Sequence, residues 1–66
     1  MREVINKNGT KIDMDQALAL MDDELREHLA WEMAPCTDQE FFTAYEEAHE
    51  EFFGGEWELS KENPVW

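Results

Sequence analysis

Thr37-Asp38-Gln39-Glu40-Phe41-Phe42-Thr43-Ala44-Tyr45-Glu46-Glu47-Ala48-His49-Glu50-Glu51-Phe52-Phe53, closed by Gly54-Gly55, is the best-punctuated stretch of this 66-residue chain. Thr37 and Glu40 stand at the spacing of a capping box, and Cys36 and Phe41 at that of a hydrophobic staple. Asp38 and Glu40 lie against the positive end of the helix dipole, and the glycine pair supplies a stop. The stretch predicts a helix over residues 38–53, with Phe41, Tyr45, Ala48 and Phe52 as its core stripe. Adjacent phenylalanines sit about 100° apart around a helix, so Phe42, His49 and Phe53 form a second apolar strip. Either the rest of the chain wraps widely around this helix, or Phe42 and Phe53, with Trp57, form an apolar interface to a second copy or partner.

The acids of the same helix fall in rows. Glu40, Glu47 and Glu51 run down one side, and Glu46 with Glu50 runs beside them. Carboxylates three or four residues apart repel, at a few tenths of a kcal/mol per pair, and no Lys or Arg lies within this stretch to relieve them.

Working back toward the N-terminus, residues 3–12 read as a β-hairpin. Asn8-Gly9 is a preferred pair for a two-residue type I′ turn, which would set Lys7 opposite Thr10, Asn6 opposite Lys11 and Ile5 opposite Ile12. Asp13 opens a helical stretch, with Gln16 placed to complete its cap. Met14, Leu18, Met21, Leu25, Leu29 and Met33 then recur at helical spacing. Asp22-Asp23-Glu24 interrupts that stripe like the start of a new helix, so one bent helix and two short ones both fit. Ala34-Pro35 ends the segment. Beyond the glycines, Glu56-Trp57-Glu58-Leu59 alternates as a short strand would. The expected fold is α+β and mostly helical: a hairpin, two or three helices and a short C-terminal strand. One domain would span residues 1–59, with 60–66 as a flexible tail.

A chain this short has little stability to spare, and Cys36 as sole cysteine allows no intrachain disulfide. Association with a partner or a second copy is the remaining staple. No secretory signal is visible, and the longest apolar run, Ala17 to Met21, is far below the ~20 residues of a membrane span. The expected compartment is the reducing cytoplasm.

Seventeen acids face five bases, for a net charge of −12, and from Glu27 to Ser60 there is neither Lys nor Arg. Such a field repels nucleic acid and anionic membranes and attracts basic surfaces, so the chain suits a site built to hold DNA better than DNA itself. An apolar fraction of 42% at regular spacing argues for a folded chain.

Catalytic and metal chemistry find little support. Asp13, Asp15 and Glu24 fail as a calcium loop, because Leu18 stands where the turn needs Gly. Glu24, His28 and Glu32 share a helical face, with His49 and Cys36 elsewhere, but match no zinc pattern. Cys36 among carboxylates lacks the electropositive setting of a reactive thiol. No cofactor, metal or enzyme activity is expected.

Leu20-Met21-Asp22-Asp23-Glu24-Leu25-Arg26-Glu27, then Ala34-Pro35-Cys36-Thr37-Asp38-Gln39-Glu40-Phe41, then Ala48-His49 and Phe53-Gly54 resemble small acidic proteins of phages and conjugative elements of Gram-positive gut bacteria. The resemblance spans residues 5 to 59 and brings no site residues with it. By class and size it implies an anti-CRISPR or anti-restriction inhibitor acting inside the host bacterial cell. The leading expectation is a non-enzymatic, DNA-mimic-like inhibitor that covers a basic surface of a host defence protein. Glu40, Glu46, Glu47, Glu50 and Glu51 would be its phosphate-like groups, and Asp22, Asp23 and Glu24 a second cluster. The alternative is a homo-oligomeric accessory protein joined through Phe42, Phe53 and Trp57.

Overall fold

The computed structural model describes residues 2–61. Two short antiparallel strands, β1 (Glu3–Ile5) and β2 (Lys11–Asp13), precede helices α1 (Met14–Leu20), α2 (Asp23–Met33) and α3 (Asp38–Phe53), and a 3₁₀ turn at Glu58–Lys61 follows. The architecture is the expected α+β one. The helical stretch is two helices: Met21 caps the end of α1, and the Asp22 side chain accepts from the Leu25 amide to start α2. Arg26 fixes this corner by donating to the Leu18 carbonyl at 3.1 Å and to Asp23 at 3.1 Å.

The hairpin register differs from the expected one by a single residue. Val4 faces Ile12 and Ile5 faces Lys11. A type I′ turn needs positive φ at both central residues, but only Gly9 of the pair adopts it, at 88°. The loop is therefore Lys7-Asn8-Gly9, closed by the Asn6 amide donating to the Thr10 carbonyl and the Gly9 amide to the Asn6 carbonyl, both at 2.9 Å. A one-residue slip exchanges the two faces of a strand. Hence Val4 enters the core with Ile12, and Ile5 stays exposed.

Helix α3 is the spine. The Thr37–Glu40 capping box forms in both directions, and Gly54 ends the helix in the left-handed conformation at φ 70°. The rest of the chain does wrap widely around it: Phe42 is 0% exposed, in one core with Tyr45, Met14, Met21, Leu25, Leu29, Trp57 and Leu59. Trp57 packs on Tyr45 and Phe42 at centroid distances of 4.5 and 5.4 Å. Both belong to the interior of the molecule, which corrects the expectation that they offer an apolar surface. Phe52, expected in the core stripe, is 65% exposed. Cys36, expected to staple the helix entrance, is exposed as well.

The C-terminal strand does not form. The outer edge of β1 is occupied by Gln39, whose side-chain amide exchanges two hydrogen bonds with the Ile5 backbone at 2.7 and 2.8 Å. The carbonyls of Leu59 and Ser60 are taken by the side-chain amides of Asn6 and Asn8, at 2.8 and 2.6 Å. With its acceptors held by the hairpin loop, the segment coils into a 3₁₀ turn. Trp57 and Leu59 nevertheless both face inward, and Ser60, assigned to the tail from sequence, is buried. Of that tail, residues 62–66 lie outside the described residues.

Glu46 closes the structure. It is 5% exposed and accepts from the Lys7 amide at 3.2 Å and the Ser60 hydroxyl at 2.7 Å. Glu46→Ala leaves these donors unsatisfied and is expected to cost about 1–3 kcal/mol in urea unfolding, whereas Glu47→Ala should stay within about 0.5 kcal/mol of wild type.

Candidate interaction surface

Arg2, Lys7 and Arg26 are spent within the fold. Arg2 holds Asp38 through two hydrogen bonds of 2.8 and 2.6 Å and reaches Asp15 at 3.1 Å. Lys7 bridges Glu50 and Glu56, and Arg26 pairs with Asp23. No base within the helix relieves its glutamates, and the fold supplies Lys7 from the hairpin to the Glu50 end of the row.

The eight acids singled out from sequence therefore separate by environment. Glu46 is internal and leaves the surface set. Glu50 is exposed but neutralised by Lys7, and Asp23 by Arg26. Asp22 is a helix cap through one carboxylate oxygen. Glu40 is exposed, with one oxygen accepting from the Thr37 amide at 3.0 Å. Glu24, Glu47 and Glu51 are exposed, without an ion pair among the described residues. Glu40, Glu47 and Glu51 share the outer side of α3 and extend about 16 Å along its axis at 1.5 Å per residue.

Exposed aromatic and aliphatic groups interrupt this surface. Trp31, on the outer face of α2, is 86% exposed. Helical spacing sets it beside Glu27 and His28. Phe53 is 55% exposed, and Leu20 is exposed near it. Sequence reading missed Trp31 and Leu20. Their signal was available, since neither falls on the Met14-to-Met33 stripe that defines the buried side of α1 and α2.

The histidines and the thiol lie apart. His28 Nε2 is 3.3 Å from Glu32. His49 Nδ1 donates to the Gly55 carbonyl at 2.9 Å, with its ring between Tyr45 and Phe53. Among the described residues, no His, Cys, Asp and Glu side chains are gathered as a metal ligand set. No helix of the described chain is long and apolar enough to cross a membrane.

The family model of anti-CRISPR protein AcrIC5 matches residues 5–57, most of the chain. The chain belongs to that family. Membership in the AcrIC5 family makes it a phage inhibitor of CRISPR defence that binds a host CRISPR–Cas protein complex. No curated protein and no solved structure matches the chain.

Two carboxyls at the start of α3 are held below the usual carboxylate range. The Arg2 guanidinium lowers Asp38 through its hydrogen bonds, and the Thr37 backbone amide lowers Glu40. A depressed folded-state pKa adds stability above the unfolded value, lost as pH falls through the folded one. The stability difference between wild type and Asp38→Asn, measured by urea unfolding, should be flat near neutrality. It should close as the pH drops below about 4, the unperturbed carboxylate value.

Proposed function

We propose that this AcrIC5-family protein blocks CRISPR defence by stoichiometric binding, laying the outer side of α3 on a basic, nucleic-acid-binding surface of a CRISPR–Cas protein. One observation carries the reading. Glu40, Glu47 and Glu51 line one exposed helix side on a chain of net charge −12, while Arg2, Lys7 and Arg26 are turned onto other carboxylates. Negative charge is thereby sorted to the outside and left unneutralised where a cationic groove would meet it.

Glu47 and Glu51, one helical turn apart, have Cβ atoms about 5–6 Å from one another, a spacing that suits basic side chains arranged to grip successive phosphates, and Glu40 stands two turns before Glu47, about 10 Å along the axis. Glu24 and Asp22, at the start of α2, form a second anionic position. Glu46 takes no part, being committed to the hairpin and the 3₁₀ turn. The protein acts in the cytoplasm of the host bacterium, where the CRISPR–Cas complex works, and the resemblance of its sequence to proteins of Gram-positive gut elements points to such hosts.

Steered association between opposite charges is fast and salt-sensitive. The double variant Glu47→Lys/Glu51→Lys should fold as wild type does. Its association rate with the CRISPR–Cas complex should fall by at least about tenfold at low salt, with loss of inhibition. Unchanged binding and inhibition by that variant would remove the proposal.

A further inference from the structure

The end of the molecule where the α1–α2 corner meets the C-terminus of α3 carries a feature that a purely anionic surface does not need. Phe52, Phe53 and Leu20 are all exposed there, in a chain whose other large apolar side chains are mostly buried. Between α2 and α3 lies a hollow of about 400 Å³, lined by Asp22, Glu24, Leu25, His28, Phe52 and Phe53. Phe53 also borders a neighbouring hollow with Leu20, Glu56 and Glu58 on its walls. The His49 ring backs Phe53 at 4.7 Å, so this aromatic wall is braced from behind. Aromatic walls with carboxylates at the rim are thus built into one cleft.

The charges narrow what can fill it. A second copy would bring another net charge of −12 against the same acidic rim, and like charges across an interface oppose association. A wholly apolar segment would desolvate Asp22 and Glu24 without pairing them, which is costly. A basic side chain satisfies both parts of the cleft. Its aliphatic stem covers apolar surface while its head stays polar. A guanidinium can stack on an aromatic face and still donate in its plane to a carboxylate. Asp22 has one oxygen engaged, Oδ2 with the Leu25 amide at 3.1 Å, and its Oδ1 has no partner among the described residues. Arginine fits this combination better than lysine, whose compact ammonium does not stack.

We propose that the cleft between α2 and α3 seats an arginine side chain of the inhibited CRISPR–Cas protein, held against Phe52 and Phe53 and paired with Asp22 and Glu24. This rests on the reading that the partner surface is basic, and it adds a short-range contact, in part apolar, that salt weakens less than the long-range attraction. Charge alone would bind many basic surfaces; an aromatic-walled seat selects among them.

The test uses the full chain and the CRISPR–Cas complex that it inhibits, with affinities measured at low and high salt. Phe52→Ser/Phe53→Ser alters exposed side chains, and circular dichroism checks that it folds. It should weaken binding about tenfold or more, the loss expected of a central interface anchor, and should abolish what binding survives at high salt. Wild-type affinity in this variant at high salt overturns the cleft. If Glu47→Lys/Glu51→Lys loses binding while Phe52→Ser/Phe53→Ser keeps it, only the cleft is wrong; if both keep it, the acidic reading has failed as well.

A second measurement addresses the identity of the side chain. The aromatic ring resonances of Phe52 and Phe53 should shift on titration with a tetra-arginine peptide and much less with tetra-lysine. Equal shifts, or none, overturn the arginine assignment. A dimer in sedimentation that Phe52→Ser/Phe53→Ser dissolves would make the cleft a contact between copies and overturn the proposal.

Discussion

The buried carboxylate of Glu46 is the interaction on which the rest of this small structure depends. Three segments meet at it: the hairpin loop through the Lys7 amide, the 3₁₀ turn through the Ser60 hydroxyl, and α3 that carries it. Asn6 and Asn8 reinforce the join by holding the Leu59 and Ser60 carbonyls. With no disulfide possible and a short core, this polar join keeps Trp57 over Tyr45 and Phe42. Among the described residues, every buried side-chain nitrogen and oxygen has a partner. A network satisfied in full specifies one arrangement, where a partly satisfied one would be worse than an apolar core.

That arrangement also sorts charge. The hairpin's Lys7 reaches over to Glu50 and Glu56, and Arg2 ties the strand to the entrance of α3. Basic side chains are thus drawn onto carboxylates that border the hairpin, while Glu40, Glu47 and Glu51 remain on the free side of the helix. Repulsion along that side opposes folding, and the aromatic core of α3 offsets it from within. The acidic face and the packed face are two sides of one sixteen-residue helix, so neither can be altered freely without regard to the other.

Where local chemistry decides the outcome, the sequence was legible. The Thr37–Glu40 box, the Gly54 stop and the Gly9 turn each follow from one or two residues acting on their neighbours, whereas the Asp22 restart stayed open, because an apolar stripe that continues past it fits a bent helix as well as two short ones. The hairpin register was not legible, because Asn8-Gly9 also suits a three-residue loop with Gly9 alone at positive φ, and the choice falls to Val4 entering the core. The last strand failed because its would-be partner edge is taken by Gln39, from a residue 34 positions away. Within the candidate surface, helical spacing correctly aligned Glu40, Glu47 and Glu51. It misjudged Glu46, since a glutamate on the flank of a helix looks solvated until Ser60 folds back onto it. Likewise Phe42 and Phe52 exchanged roles: both lie on the apolar half of α3, but Trp57 packs over Phe42, and Phe52 is left exposed near the end of the helix.

Family membership makes the chain an inhibitor of CRISPR defence. Under the proposed function, an ordered row of unneutralised carboxylates, fixed by packing on its far side, would offer a cationic groove what a nucleic-acid backbone offers. The most direct test is a competition experiment on the CRISPR–Cas complex, in which labelled inhibitor is titrated with duplex DNA carrying the target. Mutual exclusion is expected, with DNA releasing the inhibitor and no species containing both. A stable ternary complex, with inhibitor and DNA bound together at undiminished affinity, would contradict it.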